Sequence, residues 1–128
     1  DIAKGIRSFR ENNNSDWLHL FKNLPTNIYI HLMNTASCLI GNSSSGVREG
    51  AFIGTPVVNI GTRQNKRLRT SNVIQVDYDV NQIETAIKNQ LKHGRYQSSC
   101  IYGDGTAGNK IADILVDCDP TIQKTIVY

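Results

Sequence analysis

Side chains that can hold an anion are concentrated in residues 41–63, which read GNSSSGVREGAFIGTPVVNIGTR. Ser43, Ser44 and Ser45 carry hydroxyls that can donate hydrogen bonds to phosphate oxygens. A helix is predicted to follow them, and a helix N-terminus offers unpaired N–H groups and a positive dipole end to an anion. An ordinary serine cap is the alternative, but three serines and Gly46 between two apolar runs favour a phosphate-binding corner.

Charged groups near this corner extend the same chemistry. Glu49 falls in the first turn of the predicted helix, where its carboxylate can accept both hydroxyls of a ribose; a capping box or simple dipole compensation is the alternative. Arg63, Lys66, Arg67 and Arg69 crowd one loop and could clamp a diphosphate or an acidic partner, against the alternative of a solvated loop. Arg63 is the best placed of the four, because it follows a predicted strand end.

The other motifs give weaker evidence for a functional site. Residues Gly103–Gly108 match GxGxxG, but no convincing strand precedes them and no strand with an acidic residue follows, so a loop that caps the last helix is favoured over an NAD site. No GxxxxGK[ST] run is present, which leaves a P-loop ATPase unsupported. His19, His31 and His93 are scattered and are interpreted as structural or surface residues. No metal site and no cofactor are expected.

The elements that must position these groups alternate along the chain. Apolar periodicity predicts helices at Ile2–Glu11, from a cap at Thr26 or Asn27, at Val47–Ile53, at Asn81–Lys92 and at Thr106–Val116. Continuous apolar runs predict strands at Trp17–Phe21, Ser37–Ile40, Val57–Ile60 and Asn72–Val76, with a loop over Gly61–Thr70. This order indicates an α/β fold, a Rossmann-like parallel sheet with helices on both faces. Ligands bind such sheets at the carboxyl ends of the strands, and Ser43 and Arg63 both follow predicted strand ends.

Composition fits one globular domain: 128 residues, 39% hydrophobic and 20% charged. A net charge of +3 suits a small anionic ligand and does not indicate nucleic acid. No apolar run approaches a membrane span, no secretory leader is visible, and Cys38, Cys100 and Cys118 lack CxxC spacing, so a cytoplasmic location is expected. Because Asp1 already opens an amphipathic helix, the chain is expected to be part of a larger protein.

At this point the sequence resembles a known family. The run GNSSSGVREGAFIGTPVVNIGTRQ, the pair Asn72-Val73 and the later IYGDGTAGNKI are similar to UDP-N-acetylglucosamine 2-epimerases, and most similar to the hydrolysing branch that feeds sialic and legionaminic acid synthesis. The resemblance implies the second half of a GT-B architecture, in which two Rossmann-like domains enclose a cleft. Residues 1–128 would then be the C-terminal UDP-binding domain, N-terminally truncated, and their partner would be the missing N-terminal domain.

The resemblance also implies roles for individual residues. Ser43 and Ser44 would bind the diphosphate, Glu49 would hold the ribose hydroxyls, Arg63 would lie against the nucleotide, and Leu24 would offer its backbone to the uracil. The family reaction removes the C2 proton of the sugar, expels UDP and adds water back with inverted configuration. Its acids and bases fall outside these 128 residues, so no catalytic residue is assigned and the chain alone is expected to be inactive.

Three alternatives stay open. A non-hydrolysing epimerase shares the YGDG segment, a GT-B glycosyltransferase also places a nucleotide on a helix N-terminus, and a lone domain could be a non-catalytic binding or assembly module. Leu68 and Arg69 depart from the residues of some relatives, which leaves the sugar open between N-acetylglucosamine and a diacetamido-trideoxy sugar. An exposed cleft surface could also be shared between copies in a homo-oligomer.

Overall fold

The computed structural model describes residues 2–119 and divides the chain into two compact units, residues 1–30 and 31–128. The described elements follow in the order α1 (Ile2–Asn12), α2 (Thr26–Thr35), β1 (Leu39–Gly41), α3 (Ser44–Val47), α4 (Glu49–Ile53), β2 (Val57–Ile60), β3 (Val73–Val76), α5 (Val80–His93) and α6 (Ala107–Asp117). The predicted helices at the positions of α1, α2, α5 and α6 are confirmed. The predicted tail, Thr121–Tyr128, lies outside the described residues.

The strand predicted at Trp17–Phe21 is wrong. Trp17 lies in a turn, in which the N–H of Leu18 donates to the carbonyl of Ser15 at 2.8 Å, and residues 18–21 are irregular. The ring of Trp17 packs edge-on against Phe9, with 6.0 Å between ring centroids. A strand needs a neighbour to pair with its backbone, and the described part of the first unit, residues 2–30, contains no strand. The apolar run therefore leaves Trp17 in a local turn and in an aromatic pair, with no strand beside it in residues 2–30.

A parallel sheet forms the centre of the second unit. Its three described strands lie in the order β1-β2-β3, with Gly41 opposite Asn59 and Ile60 opposite Val76. β2 has the predicted bounds, whereas β1 begins at Leu39, later than predicted. The parallel sheet inferred from continuous apolar runs is confirmed.

Helices cover both faces of this sheet. Successive side chains of a strand point to opposite faces, so Val57 and Val58 of β2 face different layers. Val58 and Val76 form a buried cluster with Ala86 of α5. On the opposite face Gly46 of α3 lies directly over Val57. The Rossmann-like α/β arrangement is confirmed.

Gln90 of α5 holds strand backbones together from inside the protein. Its side chain is fully buried, and its Nε2 donates to the carbonyl of Val57 at 2.7 Å and to that of Asn72 at 2.8 Å. The hydroxyl of Tyr96 donates to Gln90 Oε1 at 2.7 Å. A buried amide of this kind is stable because each of its polar atoms has a partner.

Candidate functional site

The serine segment opens a helix earlier than predicted. Ser43 is the N-cap, with φ −74° and ψ 142°, and its Oγ accepts a hydrogen bond from the N–H of Ser45 at 3.3 Å. The hydroxyls of Ser43 and Ser45 also share a hydrogen bond of 2.8 Å. Since α3 begins at Ser44 and not at Val47, Ser44 and Ser45 lie in the first helical turn and not in the loop.

The helix is also interrupted, which changes the electrostatic argument. Arg48 still donates its N–H to the carbonyl of Ser44 at 2.9 Å, but with φ −93° and ψ −72° it separates α3 from α4. A macrodipole needs a run of aligned peptides. The four-residue α3 therefore contributes a smaller helix dipole at Ser44 than the sequence suggested.

Gly46 serves the packing of this corner. It is buried, and a Cβ added there would lie 3.0 Å from Val57 Cγ1 and 3.1 Å from Leu39 Cδ2. The missing side chain lets α3 rest directly on β1 and β2. Gly46 thus has a structural role: it seats α3 against the first residues of β1 and β2.

Arg63 lies on an exposed turn that follows β2. Gly61, at φ +76°, opens this turn, and its N–H donates to the carbonyl of Val76 at 2.9 Å. Its own carbonyl accepts from Gln75 Nε2 at 2.6 Å. On the other side Gln64 Nε2 donates to the carbonyl of Asn42 at 2.7 Å, which joins the Arg63 turn to the residue that precedes Ser43.

The Gln64–Asn42 hydrogen bond therefore joins the two turns, and its partners are the sequence neighbours of Arg63 and Ser43. Both turns leave the carboxyl ends of neighbouring parallel strands, since β1 ends at Gly41 and β2 at Ile60. In open α/β sheets this edge is where ligands bind. The predicted clustering of the serine turn with Arg63 at one sheet edge agrees with this geometry.

Glu49 and Arg69 differ in the hydrogen bonds that their side chains make within the protein. Glu49 is half-buried and is the first residue of α4, where no side-chain cap hydrogen bond forms. No hydrogen bond of a capping box is formed by its carboxylate within residues 2–119, whereas its place in the first turn of α4 leaves dipole compensation as the structural alternative. Arg69 Nη1 donates to Gln75 Oε1 at 3.0 Å, so this member of the basic loop stabilises the sheet end.

Leu24 belongs to the first unit, residues 1–30. It precedes α2, which begins at Thr26. Its backbone N–H donates to the side chain of Asn23 at 2.9 Å.

Buried amides behind the site were missed by sequence reasoning. Asn59 Nδ2 donates to Gln75 Oε1 at 2.6 Å, while Asn59 Oδ1 and Gln64 Oε1 are buried without a partner in the described residues. A signal was present in the sequence: the strands VVNI and VIQV each carry an amide at their third position. An amide inside an otherwise apolar strand is unusual and indicates a specific hydrogen bond.

The GxGxxG segment forms the turn that leads into α6, whose N-cap Thr106 makes no side-chain cap hydrogen bond. Gly103 and Gly105 adopt φ +123° and +87°, and Asp104 Oδ1 accepts from the N–H and the hydroxyl of Thr106 at 3.0 and 2.6 Å. The Thr106 hydroxyl is the main reason that the pKa of Asp104 is lowered. This loop turns the chain into α6, and the strands of residues 2–119 all end well before it. No helix in the described residues is long and apolar enough to cross a bilayer.

A parallel sheet with helices on both faces, and with a capped helix start and a basic turn at its carboxyl edge, defines a Rossmann-like α/β domain. The family described as UDP-N-acetylglucosamine 2-epimerase matches residues 3–116. The chain therefore belongs to that family.

Three relatives show which members of this family the chain is similar to. The chain is 47% identical over 75 residues to the GDP/UDP-N,N'-diacetylbacillosamine 2-epimerase (hydrolyzing) of Campylobacter jejuni, covering 59% of this chain and 19% of that protein. It is 35% identical over 98 residues to the UDP-N,N'-diacetylbacillosamine 2-epimerase (hydrolyzing) of Legionella pneumophila, covering 77% and 26%. It is 28% identical over 104 residues to the UDP-N-acetylglucosamine 2-epimerase of Neisseria meningitidis, covering 79% and 28%. The chain thus spans less than a third of the length of each of these relatives.

Proposed function

We propose that this chain is the UDP-binding part of a hydrolysing nucleotide-sugar 2-epimerase. The observation that carries the proposal is the Gln64–Asn42 hydrogen bond of 2.7 Å, because it brings the serine turn and the Arg63 turn to the same sheet edge. In this proposal the hydroxyls of Ser43 and Ser44 and the first-turn N–H groups donate to the diphosphate. The Arg63 guanidinium, which is exposed, balances its charge.

The remaining proposed contacts are made to the nucleoside and not to the phosphates. Glu49 would accept hydrogen bonds from the ribose hydroxyls, a role that its half-buried place at the start of α4 supports. Leu24 would present its carbonyl to the uracil N–H. In the reaction that the family resemblance implies, these residues hold UDP as it leaves, and donors aimed at the diphosphate stabilise the charge that builds there.

The hydrolysing outcome is supported by the names of two of the relatives, both of which act on diacetylbacillosamine-type sugars. The Neisseria meningitidis relative, at lower identity, is named for UDP-N-acetylglucosamine. The sugar is therefore proposed to be an N-acetylated hexose of one of these two types. The proposal also assigns residues 1–128 to the second half of a GT-B enzyme, with the acids and bases contributed by groups outside these residues. The cytoplasmic location stays a prediction.

Calorimetric titration of UDP into the 128-residue chain tests the site. Removing a charged hydrogen-bond partner in Arg63→Ala is expected to weaken UDP binding about tenfold or more. Arg67→Ala is the matched control, since it removes the same charge from the same exposed loop. No heat at millimolar UDP from a chain shown to be folded by circular dichroism would contradict the proposal.

The reaction is tested on the complete protein that contains this chain. Incubation with UDP-N-acetylglucosamine and with UDP-N,N'-diacetylbacillosamine should release UDP and a free sugar inverted at C2. A UDP-linked epimer would instead identify a non-hydrolysing epimerase, and a glycosylated acceptor would identify a transferase. The 128-residue chain alone is expected to bind UDP without turnover.

A further inference from the structure

The turn that carries Arg63 is held from both sides by side-chain amides. On the β3 side, Gln75 Nε2 donates to the carbonyl of Gly61 at 2.6 Å. On the β1 side, Gln64 Nε2 donates to the carbonyl of Asn42 at 2.7 Å. Gln64 is 3% exposed, although its neighbour Arg63 is exposed to solvent. The two amides thus fix the ends of the turn between the exits of the flanking strands.

The orientation of the Gln64 amide follows from its partner. Only an N–H group can donate to the carbonyl of Asn42, so Nε2 must face it and Oε1 must face inward. In that orientation Oε1 is buried and has no hydrogen-bond partner in the described residues. A buried unpaired oxygen is unfavourable, and an apolar side chain of the same length would avoid it. Stability alone therefore does not explain an amide at this position.

We propose that Gln64 is a positioning residue for the diphosphate, an inference that rests on the UDP site proposed above. Its hydrogen bond to Asn42 sets the distance between the Arg63 turn and the serine turn. The guanidinium is thereby held where it can share an anion with Ser43 and Ser44. Holding the turn before the ligand arrives removes an ordering cost from binding. Gln64 acts through Arg63 and does not itself contact the nucleotide.

Gln64→Met tests this role, because Met keeps the length of the side chain and loses the donor. Asn42 is exposed, so water can replace the lost donor and the melting temperature should change little. UDP affinity should fall about three- to tenfold, while affinity for uridine, which has no phosphate, should change less than about twofold. Gln97→Met, an exposed glutamine of the second unit, is the matched control and should leave both affinities unchanged.

A double-mutant cycle separates positioning from mere support of the fold. In an Arg63→Ala background, Gln64→Met should change UDP affinity by less than about twofold, because the group it positions is gone. Equal losses in both backgrounds, or equal losses for UDP and uridine, would overturn the inference while leaving the UDP site intact. Failure of Gln64→Met to fold would also overturn it, since the amide would then be needed for the fold. A folded wild-type chain that binds no UDP would instead refute the proposed function, and the inference with it.

Discussion

Gln90→Leu is predicted to be among the most destabilising single substitutions in the sheet unit. The change keeps the approximate size of a fully buried side chain and removes three hydrogen bonds, to Val57, Asn72 and Tyr96. The carbonyl of Asn72 keeps a second partner, the N–H of Val57 at 2.8 Å. Tyr96 is only half-buried, so water can reach its hydroxyl.

In the parallel register the carbonyl of Val57 also faces β3 and keeps a ladder bond there, so both carbonyls retain one partner and lose the second. Each hydrogen bond contributes about 0.5–1.5 kcal/mol, which gives a total of about 2–4 kcal/mol for the three that this substitution removes. In a domain of this size that corresponds to a fall in melting temperature of about 10 °C. Thermal unfolding of the 128-residue chain followed by circular dichroism measures it directly.

Gln82→Leu is the matched control, because it makes the same chemical change on the exposed side of the same helix. Its melting temperature should stay within about 2 °C of the wild type, since exposed substitutions rarely exceed 0.5 kcal/mol. If Gln90→Leu unfolded at the same temperature as Gln82→Leu, the claim that this amide holds β2 to the start of β3 would be refuted.

Two further predictions concern packing and titration. Gly54→Ala should lower the free energy of unfolding by about 3 kcal/mol, because its Cβ would lie 2.1 Å from the carbonyl oxygen of Tyr96 at a φ of +77°. Gly94→Ala is the control: its φ is also positive, at +74°, but its Cβ would meet open space, so the loss in the same denaturation assay should be smaller. Burial raises the pKa of the Cys38 thiol above its ordinary value of 9.0, so peptide mapping should show slower alkylation at Cys38 than at exposed Cys100. The stability that Cys38 contributes is complete below its unfolded-state pKa and is lost as pH rises through its folded-state pKa. The free energy of unfolding should therefore fall less steeply with rising alkaline pH in Cys38→Val than in the wild type.

The sequence predicted the elements whose bounds depend on residues close together in the chain. The bounds of β2 follow from an apolar run between Pro56 and Gly61, and α5 follows from its periodicity between Asp79 and Gly94. Gly54 is the C-cap of α4 and adopts the left-handed conformation that glycine favours. The helix at Ser44 was placed too late, because serines that cap a helix and serines inside its first turn look alike in sequence.

Long-range pairing explains what local signals could not predict. Trp17–Phe21 has the composition of a strand, but a strand also needs an edge to pair with, and composition does not supply one. Gln64, Gln75 and Gln90 bond to backbone atoms far away in the sequence. No sequence window contains both partners of such a bond, so the partners of these amides could not be predicted.

The two faces of the sheet show why the site lies where it does. On the α5 face, β2 and β3 stay apolar along their whole length, through Val58, Ile60 and Val76. On the other face, β2 changes from Val57 to Asn59, and its partner β3 changes in the same register from Val73 to Gln75. Burying paired amides gains little stability over apolar residues, so this change is not needed to fold the sheet. It occurs only toward the carboxyl ends, where Gln75 anchors the turn that carries Arg63, and the apolar core thus ends where the proposed diphosphate site begins.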